Sequence, residues 1–145
     1  MLGLAFMAIP GLSSRYAKYL DDVKWADIVD PEFHKRIAGA FKGDPRVIEV
    51  TKDLRVFRYH APGTSPSSFW YSLRSYVYPG NARRYLALPN ANTAVNVSEA
   101  VIPKGSRILI GPTSNKVGDP FFAPNAFGGG IQLYVPDPSI VRIIE

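Results

Sequence analysis

The chain has 145 residues, 46% hydrophobic and 20% charged, a balance that suits one globular domain with a real core. With no cysteine, and with His34 and His60 as its only histidines, it excludes disulfides and thiolate zinc sites and argues against a multi-histidine metal centre, so no metal is expected. The net charge of +5 falls entirely in residues 54–145, because basic and acidic residues cancel over 1–53 and only Glu99, Asp119, Asp137 and Glu145 are acidic beyond them. Such an excess fits a polyanionic partner or a phosphate-bearing ligand, and fits plain solubility equally well.

The stretch from Leu2 to Leu12 is apolar but short, has no basic leader and is broken by Pro10-Gly11. It reads as a packing arm or as the cut edge of a longer chain, not as a signal peptide or membrane span. Ser13 or Ser14 can cap a helix to about Ile28 with Tyr16, Tyr19, Leu20 and Val23 on its apolar stripe. Asp30-Pro31 opens a second helix through Phe33, Ile37, Ala40 and Phe41, which Gly43 ends, with His34 on its outer face. Val47 to Val50 suggests a strand, and Leu54 to His60 a clearer one, with Arg55, Phe57 and Tyr59 on one face and Val56, Arg58 and His60 on the other. Ala61 to Ser68 is a loop, Phe69 to Val77 fits either helix or strand, and Asn81 can cap a short helix through Leu86. Strands are expected at Thr93–Ile102, Ser106–Ile110, Ile131–Val135 and Ile140–Ile144, with a turn at Pro103-Lys104-Gly105 and a polar loop over 113–125. The expected class is α+β: a single domain over 1–145, with a helical portion over 1–53 packed on a mostly antiparallel β-rich portion over 54–145.

Several side chains could carry chemistry. In Phe127-Gly128-Gly129-Gly130-Ile131-Gln132-Leu133-Tyr134-Val135, a glycine run that a ligand could approach closely leads into a strand bearing Gln132. The carboxamide of Gln132 can donate and accept hydrogen bonds to sugar hydroxyls but cannot take a proton as a carboxylate does. Arg58 could clamp a pyrophosphate, or stand as an outward arginine on a half-exposed strand. His60 could orient a ribose or act near neutral pH, or could simply bond a loop carbonyl. Ser68-Phe69-Trp70-Tyr71-Ser72 offers aromatic faces for a flat heterocycle, or core filling. No P-loop, dinucleotide fingerprint, metal-ligating helix or nucleophile elbow is present.

The order Tyr85-Leu86-Ala87-Leu88-Pro89, Asn92-Thr93-Ala94, Val101-Ile102-Pro103-Lys104-Gly105, Ile110-Gly111-Pro112 and Gly128-Gly129-Gly130-Ile131-Gln132 resembles the C-terminal toxin domains of bacterial polymorphic toxins. Within these it is most similar to ADP-ribosyltransferase-like toxins and the related tuberculosis-necrotizing-toxin NAD glycohydrolases, over roughly 54–145. The resemblance implies a split β-sheet holding NAD as substrate. It places Arg58 on the first core strand, Ser72 on the serine-containing strand and Gln132 at the final catalytic position. Gln132 would hold ribose hydroxyls, Arg58 the pyrophosphate and an aromatic of Phe69 to Tyr71 (Trp70 or Tyr71 foremost) the nicotinamide, and His60, Ser72, Gly129 and Gly130 would help bind the dinucleotide. The expected activity is cleavage of the nicotinamide–ribose bond with transfer of ADP-ribose to a protein or nucleic-acid acceptor; glutamine in place of the transferases' glutamate raises hydrolysis without an acceptor as the alternative, or transfer to an unusual acceptor. The same resemblance implies a cognate immunity protein, a monomeric chain at the tip of a larger secreted effector, and action in the target-cell cytoplasm with no membrane partner. A nuclease toxin and a non-enzymatic binding module are the competing readings.

Overall fold

The computed structural model describes residues 12–65 and 68–144, so most of the apolar opening stretch lies outside the described residues. The chain builds one eight-stranded antiparallel sheet: β1 (Ala17–Tyr19), β2 (Arg46–Val50), β3 (Leu54–His60), β4 (Trp70–Ser72), β5 (Asn96–Ile102), β6 (Arg107–Pro112), β7 (Ile131–Tyr134) and β8 (Arg142–Ile144). Their spatial order is β1-β2-β6-β7-β4-β3-β5-β8. Two seven-residue helices, α1 (His34–Ala40) and α2 (Pro79–Tyr85), complete an α+β fold.

The sheet has a seam. β4 pairs with β7 at all three of its residues but meets β3 only through Phe57 and Ser72. Strands β1, β2, β6, β7 and β4 therefore form one half, and β3, β5 and β8 the other. Alternation puts Ile48, Val50, Ile108, Ile110 and Leu133 of the first half and Val56, Ala100 and Ile102 of the second on one face, where all join a single apolar cluster. The halves fold toward each other over that cluster, and their opposite faces receive the helices. Ile37 and Phe41 of α1 pack on Val47, Leu109 and Tyr134, while Ala82 and Leu86 pack with Phe57 and Tyr59.

The β-strand expectations hold closely, β3 residue for residue. The first helix does not form. Ala17–Tyr19 instead adds an edge strand to β2, Ala17 enters the main core, and Lys18 pairs with Glu49 at 3.4 Å across the strands. Tyr16, Tyr19, Val23 and Trp25 have only middling helix propensity, and an open edge on β2 offers them a ladder. Only a single turn of 3₁₀-helix, Trp25–Asp27, survives of that prediction. Residues 1–53 are thus not a helical portion beside the sheet, because β1 and β2 are two of its strands. The second helix forms after a Pro31–Phe33 turn, but His34 is half-buried: its Nε2 lies 2.7 Å from the Val29 carbonyl and its ring meets Trp25 edge-on.

Candidate functional site

A cleft of about 680 Å³ opens over the seam, on the face away from the main core. Register fixes its floor. Phe57 opposes Ser72, Ser72 opposes Gln132, and Gln132 opposes Gly111, so these residues form one row across β3, β4, β7 and β6 with side chains on a common face. One wall is α1, which presents Lys35, Arg36, Gly39 and Ala40; the other is the segment after α2, Leu86 to Pro89 with Asn92. Thr113, Ser114, Lys116, Phe121 and Phe122 close the rim.

Gln132 is 8% exposed and its amide donates through Nε2 to the Ala40 carbonyl at 2.9 Å. The Ser114 backbone N–H donates to the same carbonyl at 3.0 Å, and the Ser114 hydroxyl donates to the Gly39 carbonyl at 2.7 Å. The C-terminal carbonyls of α1 are thereby satisfied, and they dictate a donor at position 132. A carboxylate there would set acceptor against acceptor. This gives a physical reason for glutamine, with its Oε1 left to meet a ligand.

Ser72 is also on the floor but is committed to the backbone: its hydroxyl donates to the Arg74 carbonyl at 2.8 Å and accepts from the Arg74 N–H at 3.1 Å. Trp70 lines the cleft and rests edge-on against Tyr134, with ring centres 4.8 Å apart. Arg58 borders the same cleft as Gln132, but it leaves β3 with the parity of Leu54 and Val56, opposite to Phe57. Its Nε donates to the Ser65 carbonyl at 3.0 Å. Burial lowers the affinity of its guanidinium for the proton, which the nearby Tyr71 hydroxyl partly offsets. Tyr71, in turn, is pushed up by burial, against the Ser68 N–H that it accepts at 2.9 Å and against Arg58.

The remaining predicted site residues stand elsewhere. His60 does not line the cleft. It is buried with Nε2 at 2.8 Å from the Ser98 hydroxyl and Nδ1 at 3.3 Å from that of Thr64, so both ring nitrogens are occupied. Gly129 and Gly130 do not line it either. The glycine run serves close backbone packing: a Cβ on Gly128 would lie 2.4 Å from the Ser114 carbonyl oxygen, and one on Gly130 would lie 2.8 Å from that of Tyr85. The Gly128 and Gly130 N–H groups donate to the Arg84 and Tyr85 carbonyls, knitting α2 to the strand that carries Gln132.

Sequence reasoning missed Phe57, Lys35, Arg36, Lys116, Phe121 and Phe122. Lys35 and Arg36 carried a visible signal, two adjacent cations on a helix whose apolar positions are Phe33, Ile37 and Phe41. Lys116, Phe121 and Phe122 sit in a long loop with no periodicity, where only the tertiary structure reveals which way they face. The cleft is lined by Lys35, Arg36, Arg58 and Lys116 and, among the described residues, by no carboxylate. None of the four joins an ion pair within the described residues.

No protein-family model matches this chain, and no curated protein does. Among solved structures, that of Tse6 in complex with Tsi6 is similar, with a TM-score of 0.57 over 81% of this chain and 85% of that chain at 17% identity. The likeness establishes a shared fold.

Proposed function

We propose that this chain is an NAD-consuming toxin domain that cleaves the bond between nicotinamide and ribose. The observation that carries the reading is the cleft: a split-sheet seam floored by an oriented carboxamide and bordered by four cations with no lining carboxylate. That lining suits a ligand with aromatic ends and an anionic centre. Its shared fold with Tse6 and the toxin-like order of its sequence motifs support the same reading.

The chemistry asks little of the protein. Nicotinamide leaves as a neutral base when the C1′–N bond breaks, and the ribose passes through an oxocarbenium-like state. Water attacks C1′ and loses its proton to solvent, giving ADP-ribose. The chain holds the dinucleotide in a reactive pose and excludes competing geometries. Gln132 would bind the ribose hydroxyls through Oε1 and its free amide hydrogen, while Trp70 would pack against nicotinamide. Among the described residues no carboxylate lines the cleft to act as a base. Hydrolysis needs none, which favours it over transfer to an acceptor that must first be deprotonated.

Incubation of the chain with NAD and measurement of free nicotinamide tests this. Release is expected, and Gln132→Ala is expected to lower it by about 10²-fold, as for loss of one oriented donor or acceptor in a site. Equal release from both proteins would refute the assignment of Gln132, and no release from the wild type would refute the activity. Label from NAD appearing on protein or nucleic acid would identify transfer instead. In the same reading the producing cell needs an immunity protein, acidic where it covers the cationic rim, and the domain acts in the target-cell cytoplasm after delivery on a larger effector.

A further inference from the structure

We infer that the pyrophosphate of the ligand is held by Lys35, Arg36 and Lys116 at the α1 side of the cleft, and not by Arg58. The inference deepens the dinucleotide reading and rests on it for the identity of the ligand.

Geometry separates the two sets of cations. Lys35 and Arg36 stand on α1, whose last turn is anchored to the end of β6 by the Ser114 bonds to Gly39 and Ala40. Two residues further on, Lys116 is fixed by its own N–H, which donates to the Ala126 carbonyl at 2.9 Å. Its side chain returns to the helix: Nζ lies 3.8 Å from where a Cβ on Gly39 would stand, and 5.4 Å from the Phe122 ring centre. Three positive side chains thus line one rim of the cleft, with no ion pair among the described residues to neutralise them. Asp30 and Arg36 act on the Tyr134 hydroxyl in opposite directions, and neither Asp30 nor any other described carboxylate lines the cleft. Like charges held together repel, and a bound dianion turns that repulsion into attraction. Gly39 keeps the helix surface low at this point, which leaves the Lys116 Nζ room beside α1.

Arg58 has the opposite character. It is half-buried, its Nε is spent on the Ser65 carbonyl, and strand parity directs it away from the row that contains Gln132. Its structural task is to tie the β3–β4 loop to the seam.

Calorimetric titration with ADP-ribose and with inorganic pyrophosphate, at two salt concentrations, tests the inference. Lys35→Ala, Arg36→Ala and Lys116→Ala should each weaken both ligands by roughly tenfold or more, the loss of a charge-assisted hydrogen bond. They should also flatten the salt dependence, with thermal midpoints unchanged. Lys104→Ala, on the remote turn between β5 and β6, is the charge-matched control and should bind as wild type. Unchanged affinity in the three variants, with loss in Arg58→Lys, would overturn the inference, as would failure of both ligands to bind the wild type. A single-stranded oligonucleotide that binds while ADP-ribose does not would overturn it too. Failure of the activity is distinguishable: ligands that bind and respond to the three cations without any NAD cleavage leave the clamp standing and remove the hydrolase.

Discussion

The floor and the rim of the cleft are built by different physics. Phe57, Ser72 and Gln132 on the floor are set by strand register, and the two polar members are tied further by hydrogen bonds to backbone. The rim is set by loops that lean on one another: Asn90 N–H donates to the Phe121 carbonyl, Ala123 N–H to that of Leu88, and a single bridge joins Pro89 to Phe122. Phe121 remains 66% exposed. A register slip on the floor would move every side chain to the other face, so it is specified by the whole core. The loop part of the rim is held by fewer contacts than the floor.

The largest effect should come where floor and rim meet. Gly128 has a φ of +75°, and its absent Cβ would strike the Ser114 and Thr113 carbonyls. Gly128→Ala should lower stability by roughly 2–4 kcal/mol in urea denaturation, from left-handed backbone strain plus overpacking. Gly129 shares the backbone strain, with φ at 88°, but has open space around it. Gly129→Ala should therefore cost only about 1 kcal/mol. Equal losses in the two variants would show that the close approach is not what the glycines serve.

Gln132→Glu sharpens the same comparison on the floor. A carboxylate facing the Ala40 carbonyl loses a hydrogen bond and leaves two acceptors in contact, which should destabilise the fold by about 1–3 kcal/mol at neutral pH. Burial and that contact both favour the protonated acid in the folded state, so its folded pKa is raised. The stability should return as pH falls below the folded value and be lost as pH rises through it. A pH-independent deficit would mean that Ala40 does not select the side chain at 132.

Much of the sheet is legible in the sequence because its strands alternate cleanly and end in turns. Leu54 to His60 reads directly, and Gly105, at φ 91°, marks the turn after β5. β1 is not legible, because Tyr16 to Val23 satisfies a helical stripe as well as a strand, and only the free edge of β2 decides between them. β4 is a three-residue strand ended by the Ser72–Arg74 turn, too short for any period to show. In the site, the strand alternation places Gln132 on the cleft face, while Gly128 and Gly130 are taken up by backbone packing that no sequence period reveals. What could not be read was the meeting of α1 with the 113–116 segment, a long-range contact that brings Lys35, Arg36 and Lys116 to one rim.

The smallest effect separates floor from rim by pH. Tyr71 beneath the floor, Tyr134 beside Trp70 under α1, and Tyr76 behind the second wall all have hydroxyls pushed up, with burial the first cause in each. Their folded values lie above the unfolded value of about 10, so the folded protein holds more protons between the two. Stability should be flat through neutral pH and decline as pH rises past about 10. Tyr71→Phe removes one of these groups and should make that decline shallower. It also removes the acceptor for the Ser68 N–H, at a cost of about 1 kcal/mol at neutral pH. Thermal denaturation of both proteins from pH 7 to 11 reads the two effects separately. An identical alkaline slope would place the Tyr71 hydroxyl in contact with solvent, and the floor at that point would then be as open as the rim.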